Sequence, residues 1–176
     1  MNNLILLRHS QRLWNKQRRF TGWADIELTT QGRSQAELAG KLIKDLNIEF
    51  DAYFTSVQIR AIDTLAIILD VLDKKNSKIE KAWELNERHY GALTGLSKDE
   101  MIKKHGKQQV HIWRRSFDVP PPPMEKTHPN HPFKYKAYIN IPVSKIPSSE
   151  SLKNTFERVM PYYEENIKPL LSSNKN

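Results

Sequence analysis

The chain has 176 residues, a formal net charge of +8 and no cysteine, so disulfide frameworks and thiolate metal sites are excluded. The length fits one domain, residues 1–176, and the absence of a signal sequence or an apolar run of ~18 residues predicts an unexported, cytoplasmic protein without a membrane partner. The basic residues are scattered among acidic ones, which disfavours nucleic acid as a partner and favours a small anionic ligand.

The first predicted element is a buried strand over residues 4–7, which is directly followed by Arg8 and His9. A continuous apolar run is typical of a central strand in a parallel sheet that is covered on both faces. Open α/β sheets bind ligands outside the carboxyl ends of such strands. We therefore expect Arg8 and His9 to face a ligand.

The next elements alternate between helix and strand. Apolar residues at helical spacing follow residues 29–32, a second strand is predicted within 50–55, and Ser56 is a candidate N-cap for a helix that extends to about Leu72. A third strand is predicted over 78–83. This β-α-β-α order indicates an α/β fold with a doubly wound, mostly parallel sheet flanked by helices.

Two short helices are predicted in the middle of the chain. Ser97 and Glu100 have the spacing of a capping box, in which each side chain bonds the other's backbone N–H, so a helix is expected to begin there. Val110, Trp113 and Phe117 indicate a second helix. The proline run at 120–123 closes it, because proline has no N–H group with which to continue a helix.

The last third of the chain is predicted as a long loop followed by a helix. Residues 124–147 are rich in Pro, His, Lys and Asn and have no sustained period, which is typical of a loop over a site or at an interface. From Ser149 onward, apolar residues recur at helical spacing. The helix is expected to bend or adjust near Pro161.

His9 is the strongest candidate for chemistry. A neutral imidazole is nucleophilic near pH 7 and can accept a phosphoryl group and pass it on, provided that cations neutralise the phosphoryl oxygens. Arg8 adjoins it, and Arg60 is expected above the same edge of the sheet, beside a helix N-terminus that favours anions. An isolated Arg-His pair more often lies on the surface without a catalytic role, so the assignment of His9 as a nucleophile depends on further motifs.

Five segments in order resemble the cofactor-dependent phosphoglycerate mutases, a family within the histidine phosphatase superfamily. The resemblance extends from about residue 4 to residue 171. Its Asn-Glu-Arg-His-Tyr-Gly and Trp-Arg-Arg elements are specific to the mutases within the superfamily. The segments are residues 8–15, 20–23, 55–61, 85–91 and 110–116.

The resemblance implies an isomerase of glycolysis and gluconeogenesis that interconverts 2-phosphoglycerate and 3-phosphoglycerate through a phosphohistidine. It implies that 2,3-bisphosphoglycerate primes His9 and that Arg8 and Arg60 hold the transferred phosphoryl group. Glu87 matches the general acid/base. The other implied substrate-binding positions are Asn15, Thr21, Gly22, Arg88, His89, Tyr90, Lys98, Arg114 and Arg115. No metal is implied, and a homodimer is a candidate assembly because the family commonly pairs its subunits.

The sequence also departs from the pattern of this family. Ser10 stands where the family has glycine, which permits backbone conformations that serine resists. Arg12 stands where the family has a small serine, and its long cation either fills the phosphate site or swings outward. Family members continue past the helix ending near Leu171 into a further central strand and a His-Gly-Asn-Ser motif, so we expect that strand, a second active-site histidine and the following helix to be missing here.

Two functions remain in competition at this point. One is an active phosphoglycerate mutase. The other is a catalytically impaired or inactive relative that at most binds phosphorylated ligands, which Ser10, Arg12 and the expected lack of a second histidine favour. A general phosphatase of the same superfamily would need a more open site, and the extended insertion over residues 90–133 disfavours it.

Overall fold

The computed structural model describes residues 3–172, which form α-helices around a short parallel sheet. The α-helices are α1 (Leu13–Lys16), α2 (Thr30–Lys44), α3 (Ile59–Val71), α4 (Lys98–His105), α5 (Lys107–Arg115), α6 (Leu152–Tyr162) and α7 (Lys168–Ser172), and the strands are β1 (Tyr53–Thr55) and β2 (Ile79–Lys81). No helix within residues 3–172 has both the length and the apolar character needed to cross a membrane.

The sheet joins β1 and β2 in parallel, with Tyr53 opposite Ile79 and Thr55 opposite Lys81. Since parallel neighbours need a crossover connection, α3 lies between them in the chain and completes a β-α-β unit. Both strands fall within the ranges that the sequence predicts. The α/β class with a parallel sheet is therefore confirmed, although the sheet has only these two strands in the described part of the chain.

The strand predicted over residues 4–7 does not form in the described residues, and this prediction was wrong. Leu6 is 84% exposed, and Leu4 and Leu7 are about half exposed. An extended segment needs a neighbouring strand to bond its backbone N–H and C=O groups. The apolar pattern indicates a segment suited to burial but carries no information about whether a partner strand lies beside it.

The helix α2 begins where the sequence predicts and packs against α3. Its N-cap is Thr29, whose side-chain oxygen accepts the N–H of Gly32 at 3.0 Å. Gly40 lets the two helices approach closely, because a Cβ at this position would lie 2.9 Å from the Cβ of Val71. The contact therefore depends on the lack of a side chain at Gly40.

The start of α3 differs from the prediction by a few residues. Gln58, rather than Ser56, is the N-cap, and the Ser56 hydroxyl oxygen accepts the Gln58 N–H at 3.3 Å in the preceding turn. The N–H of Ile59 lies in the first turn of the helix and donates to the carboxylate of Asp25 at 2.8 Å. A side chain distant in sequence thus caps α3, and local spacing could not reveal it.

A tight reversal brings the end of α5 back towards the N-terminal segments. Ser97 caps α4, accepting the N–H of Glu100 at 3.4 Å, which is one half of the predicted capping box. Gly106 ends α4 with φ +82°, a left-handed conformation that favours glycine. The helix α5 ends before the prolines, as predicted, but it stops at Arg115 and leaves the expected Phe117 outside and exposed. Arg114 and Arg115 lie in its last turn.

Residues 124–147 pack on the core through short 3₁₀ turns. The Tyr138 ring stacks on Trp23 with 5.2 Å between ring centroids, and its hydroxyl donates to the Trp23 carbonyl oxygen at 2.7 Å. Ile141 is also buried against this cluster. The segment therefore forms a packed wall beside Trp23 rather than a free surface excursion.

The last helical stretch starts with a complete capping box. Ser151 and Asn154 exchange side-chain and backbone hydrogen bonds at the start of α6. The predicted adjustment near Pro161 is seen as a π-helical turn over Tyr163–Ile167, after which α7 continues the stretch. Pro161 itself lies within α6, and the π-helical turn begins two residues after it.

We predict that Gly40→Val destabilises the fold by roughly 1–3 kcal/mol, because the new side chain overlaps Val71 and forces α2 away from α3. Urea unfolding followed by circular dichroism measures this change. Ser34→Val, which adds the same side chain at an exposed position of α2, is the matched control and should change stability by no more than about 0.5 kcal/mol. Equal effects at both positions would contradict the close helix contact.

Candidate active site

A cavity of about 930 Å³ opens beside His9 and is lined mainly by cations at its polar end. Glu87 is the acidic side chain that lines it within residues 3–172. The lining cations are Arg8, Arg12, Arg19, Arg88, Lys98, Arg114 and Arg115. This excess of positive charge makes the cavity suitable for an anionic ligand.

Backbone pairing between distant segments assembles this end of the cavity. The N–H of Phe20 donates to the Leu96 carbonyl at 3.0 Å, and the N–H of Gly95 donates to the Phe20 carbonyl at 2.8 Å. These bonds hold the segment after α1 against the start of α4. Lys98 is thereby placed at the cavity, where burial and the neighbouring Arg114 lower its pKa.

His9 has the protonation state that a nucleophile requires. Its Nδ1 lies 2.8 Å from the Ser10 carbonyl oxygen, and because a carbonyl only accepts, Nδ1 carries the proton and Nε2 holds the lone pair. Burial and the Arg12 guanidinium lower the pKa of His9 from 6.5 to about 4. The imidazole is therefore neutral near pH 7.

Ser10 does not need the backbone conformation that is reserved for glycine. The non-glycine residues with positive φ in the described part of the chain are Arg18, Asn47 and Asp73. The N–H of Ser10 donates to the hydroxyl of Thr64 at 3.2 Å. The serine at this position is thus accommodated without backbone strain, contrary to the concern that the sequence raises.

Arg12 points into the site and does not swing outward. It is 3% exposed, its Nε donates to the Thr21 hydroxyl at 3.0 Å, and its Nη2 donates to Oε2 of Glu87 at 3.1 Å. Its Nη1 is in contact with Nε2 of His9. Burial lowers the pKa of Arg12 to about 10, although Glu87 opposes this shift. Arg12 thus connects His9 to Glu87.

Glu87 is held between two guanidinium groups. Its Oε2 accepts from Nη2 of Arg12 at 3.1 Å and from Nη2 of Arg60 at 3.0 Å. Burial raises the pKa of this carboxyl, but Arg12 and Arg60 together outweigh burial and the net pKa lies below its usual value. Trp23 fixes the backbone here by donating its Nε1–H to the Glu87 carbonyl at 2.7 Å. Glu87 is therefore a positioned carboxylate that can accept a proton.

Arg60 converges on the site but does not line the cavity within the described residues. It is fully buried and donates to the carbonyl oxygens of Gly22 at 2.8 Å and Ala24 at 3.1 Å, as well as to Glu87. Gly22, with φ +54°, sits so close to Tyr90 that a Cβ would lie 2.9 Å from its backbone nitrogen. In this structure Arg60 and Gly22 shape the wall behind Glu87.

Arg88 offers a buried donor at the cavity wall. Its Nη2 donates to the carbonyl of Arg114 at 2.7 Å, and its guanidinium lies 4.9 Å from the centre of the Tyr90 ring. Its Nη1 is buried and has no hydrogen-bond partner among residues 3–172. A buried donor without a partner carries a free-energy cost that a bound anion would remove.

His89 lies behind the cavity rather than in its lining. It is fully buried, its Nδ1 accepts the N–H of Gly91 at 2.9 Å, and its ring lies 5.6 Å from Trp23. Burial and the neighbouring His131 lower its pKa to about 3. The structure therefore places His89 as a neutral packing residue.

The remaining predicted site residues are all brought to the cavity. The exposed Arg8 is among them, although the segment before it is not a strand. The predicted residues that line the cavity are Arg8, His9, Asn15, Thr21, Glu87, Arg88, Tyr90, Lys98, Arg114 and Arg115. No group of three or more His, Asp or Glu side chains in the described part of the chain could hold a metal ion.

The sequence does not predict a buried ion pair that supports the loop before Tyr90. Arg158 and Glu150 form a buried ion pair, with 2.7 Å between Nε and Oε1. Arg158 also donates to the carbonyl of Glu84 at 2.6 Å, and Glu150 accepts the N–H of His89 at 2.8 Å. A charged residue just before a helix and another in its middle give no indication of such a role.

Comparison with known proteins agrees with this fold. Residues 4–130 match the histidine phosphatase superfamily (branch 1), which is most of the chain. The protein therefore belongs to this superfamily.

The sequence is also similar to curated relatives named 2,3-bisphosphoglycerate-dependent phosphoglycerate mutase. The relative from Hydrogenobaculum sp. (strain Y04AAS1) is 52% identical over 97% of this chain and 69% of its own length. That from Pelagibacter ubique (strain HTCC1062) is 49% identical over 100% of this chain and 74% of its own length. These relatives confirm the resemblance to the mutases that the motifs indicate.

Solved structures share the fold at lower identity. Mycobacterial hydrolase 1 superposes with a TM-score of 0.68 at 20% identity, covering 95% of this chain and 66% of its own. A mycobacterial glucosyl-3-phosphoglycerate phosphatase superposes with a TM-score of 0.66 at 20% identity, covering 92% of this chain and 61% of its own. At this identity the likeness shows the fold alone.

We predict that His9 remains neutral down to about pH 4 and that Arg12→Gln raises its pKa, because the substitution removes a neighbouring cation. Since the folded pKa lies below the ordinary 6.5, the stability that neutral His9 contributes is complete above pH 6.5 and is lost as the pH falls towards 4. Titration of the imidazole by ¹⁵N NMR measures both values. Arg18→Gln, which removes an exposed arginine outside the cavity lining, should leave the His9 titration in place; a parallel shift in this control would contradict a local effect.

Proposed function

We propose that this chain is a phosphoglycerate mutase that interconverts 2-phosphoglycerate and 3-phosphoglycerate in glycolysis and gluconeogenesis. The observation that carries the proposal is the neutral His9, with its lone pair on Nε2, beside the carboxylate of Glu87 in a cavity lined by cations. About half of the residues are identical to those of relatives that carry this name, which supports the same activity.

The cavity fits a bisphosphorylated carboxylate such as 2,3-bisphosphoglycerate. Its cations exceed its lining carboxylate, and Nη1 of Arg88 is a buried donor without a partner in the described residues. Arg8 and Lys98 would hold such an anion together with Arg114 and Arg115, because separate cations can bind its separate charged groups. When bound, 2,3-bisphosphoglycerate supplies the phosphoryl group that primes the enzyme.

His9 and Glu87 then perform the transfer, and the Ser10 carbonyl orients His9. The Ser10 carbonyl holds the Nδ1 proton of His9, so that Nε2 attacks phosphorus and carries the group. Glu87, ionised because two guanidiniums lower its pKa, accepts the proton of the attacking glycerate hydroxyl as the N–P bond breaks. It returns this proton to the departing oxygen in the opposite direction. The phosphoryl group thus moves between two hydroxyl positions of one substrate.

A catalytically impaired relative that binds phosphorylated ligands is the second candidate. Two observations favour it: Nη1 of Arg12 contacts the nucleophilic nitrogen of His9, and Arg8 follows the unpaired segment over residues 4–7. The chain also spans 69–74% of the length of the curated relatives named above.

A coupled mutase assay decides between these candidates. It compares this chain with a version extended by the C-terminal segment of the Hydrogenobaculum relative, each with and without 2,3-bisphosphoglycerate. Equal turnover that depends on the bisphosphate supports an active mutase. Binding of 3-phosphoglycerate without turnover by the shorter version, with turnover restored in the longer one, supports the impaired relative.

We also propose phosphoglycerates as the small-molecule partners of this chain, the cytoplasm as its location and a homodimer as its assembly. The cation-lined cavity supports the first of these. Sedimentation equilibrium tests the last: a mass of twice 20.6 kDa is expected, and a monomer at all concentrations contradicts it.

We predict that His9 is the residue phosphorylated by labelled 2,3-bisphosphoglycerate, because its lone-pair nitrogen faces the cationic end of the cavity. The label should be acid-labile, base-stable and found on the peptide that contains His9. His9→Ala should abolish it, and His111→Ala, which changes an exposed histidine of α5, should not. Label that survives His9→Ala would assign the nucleophile elsewhere.

A further inference from the structure

Arg12 and Arg60 bind the same oxygen of Glu87 but are anchored in different ways. Arg60 is fixed by the backbone carbonyls of Gly22 and Ala24. Within residues 3–172, the Arg12 guanidinium is bonded only to side chains, namely those of Thr21, Glu87 and His9. The Arg12 guanidinium can therefore exchange one partner without disturbing the backbone.

The charges of this cluster do not balance. Arg12 and Arg60 are cationic and nearly or fully buried, Glu87 supplies one negative charge, and His9 is neutral near pH 7. Asp25 also acts on Arg60, and Arg8 also acts on Glu87, so three cations and two carboxylates leave one positive charge in excess. Burying an uncompensated charge is costly, so this cluster gains free energy when an anion binds to it.

The guanidinium of Arg12, which carries positive charge, lies next to the nucleophilic nitrogen of His9. Since Nδ1 of His9 donates to the Ser10 carbonyl, Nε2 holds the lone pair, and Nη1 of Arg12 contacts this nitrogen. A phosphoryl group on Nε2 would take the place of that contact. Its oxygens would then lie beside the same guanidinium, whose fork of N–H donors suits phosphate.

We propose that Arg12 is a phosphoryl-binding catalytic residue of this chain, which exchanges its contact with Nε2 of His9 for the oxygens of the phosphoryl group while Thr21 and Glu87 hold it in place. In this step the lone pair of Nε2 forms the N–P bond, and the P–O bond to the donor breaks with its electrons on the leaving oxygen. The proposal rests on the proposed function, because it takes His9 as the phosphoryl acceptor.

This role belongs to the arginine at position 12 and not to a smaller side chain there. A serine at this position, as in the family that the motifs resemble, would reach neither Glu87 nor Nε2 in the way that the guanidinium does, and it would carry no charge. The chain therefore has a cation beside its nucleophile that the shared motifs alone do not provide.

Calorimetric titration with inorganic phosphate tests the proposal on Arg12→Gln and Arg12→Lys. We expect Arg12→Gln to weaken phosphate binding by roughly tenfold or more, since it removes charge-assisted hydrogen bonds. Arg12→Lys keeps the charge but loses the fork, and should fall between wild type and Arg12→Gln. Arg18→Gln, the exposed control, should bind phosphate like wild type. Unchanged or tighter binding by Arg12→Gln overturns the proposal, because it would mean that Arg12 only covers His9.

A measurement on the unsubstituted protein covers the case in which a variant does not fold. In ¹⁵N NMR spectra, saturating phosphate should shift both the Nε–H signal of Arg12 and the Nε2 signal of His9. Phosphate that binds without shifting either signal overturns the proposal.

Mutase turnover is measured separately, which distinguishes the two hypotheses. Lost phosphate affinity in Arg12→Gln without any turnover by the unsubstituted chain supports the role of Arg12 and contradicts the mutase. Normal turnover, together with phosphate affinity that does not depend on Arg12, supports the mutase and contradicts the role of Arg12.

Discussion

The carboxylate of Glu87 is the point at which three parts of the chain meet. Its Oε2 accepts from Arg12, which follows the nucleophile, and from Arg60, which lies in the first turn of α3. Two cations close to each other in a buried site would repel, and this carboxylate makes their approach tolerable. The same pairing keeps Glu87 ionised despite its burial. The site can therefore hold a neutral nucleophile, an ionised base and excess positive charge at once.

The surrounding structure fixes this group from behind. Trp23 bonds the Glu87 backbone, and its ring packs on Tyr138 from the segment over residues 124–147. Arg158 and Glu150 form a buried pair that holds the loop on the other side. Removing one partner of such a pair leaves a buried charge uncompensated, so the pair makes the loop position strongly preferred. Glu87 thus owes its position to side chains distant in sequence.

The sequence predicts the elements that depend on local chemistry. The Ser97 cap, the end of α5 before the prolines and the adjustment near Pro161 all follow from neighbouring residues, and all are seen. Site residues that converge on the cavity, such as His9 and Glu87, could be anticipated from motif resemblance. The lack of a strand over residues 4–7 and the buried orientation of Arg60 could not, because strand pairing and side-chain direction depend on segments that are remote in sequence.

The cations on the two sides of His9 differ in how firmly the structure positions them. On one side, hydrogen bonds of 3.0–3.1 Å join Arg12 and Arg60 to Glu87, and both arginines are buried. On the other side, Arg8 is exposed and follows a segment without strand partners in the described residues. Anion binding needs charge in approximately the right place, whereas transfer needs the reacting atoms and their cations aligned closely. Pairing of residues 4–7 with a neighbouring strand should therefore affect turnover more than affinity, because it would position Arg8 and His9 and leave the buried cations unchanged.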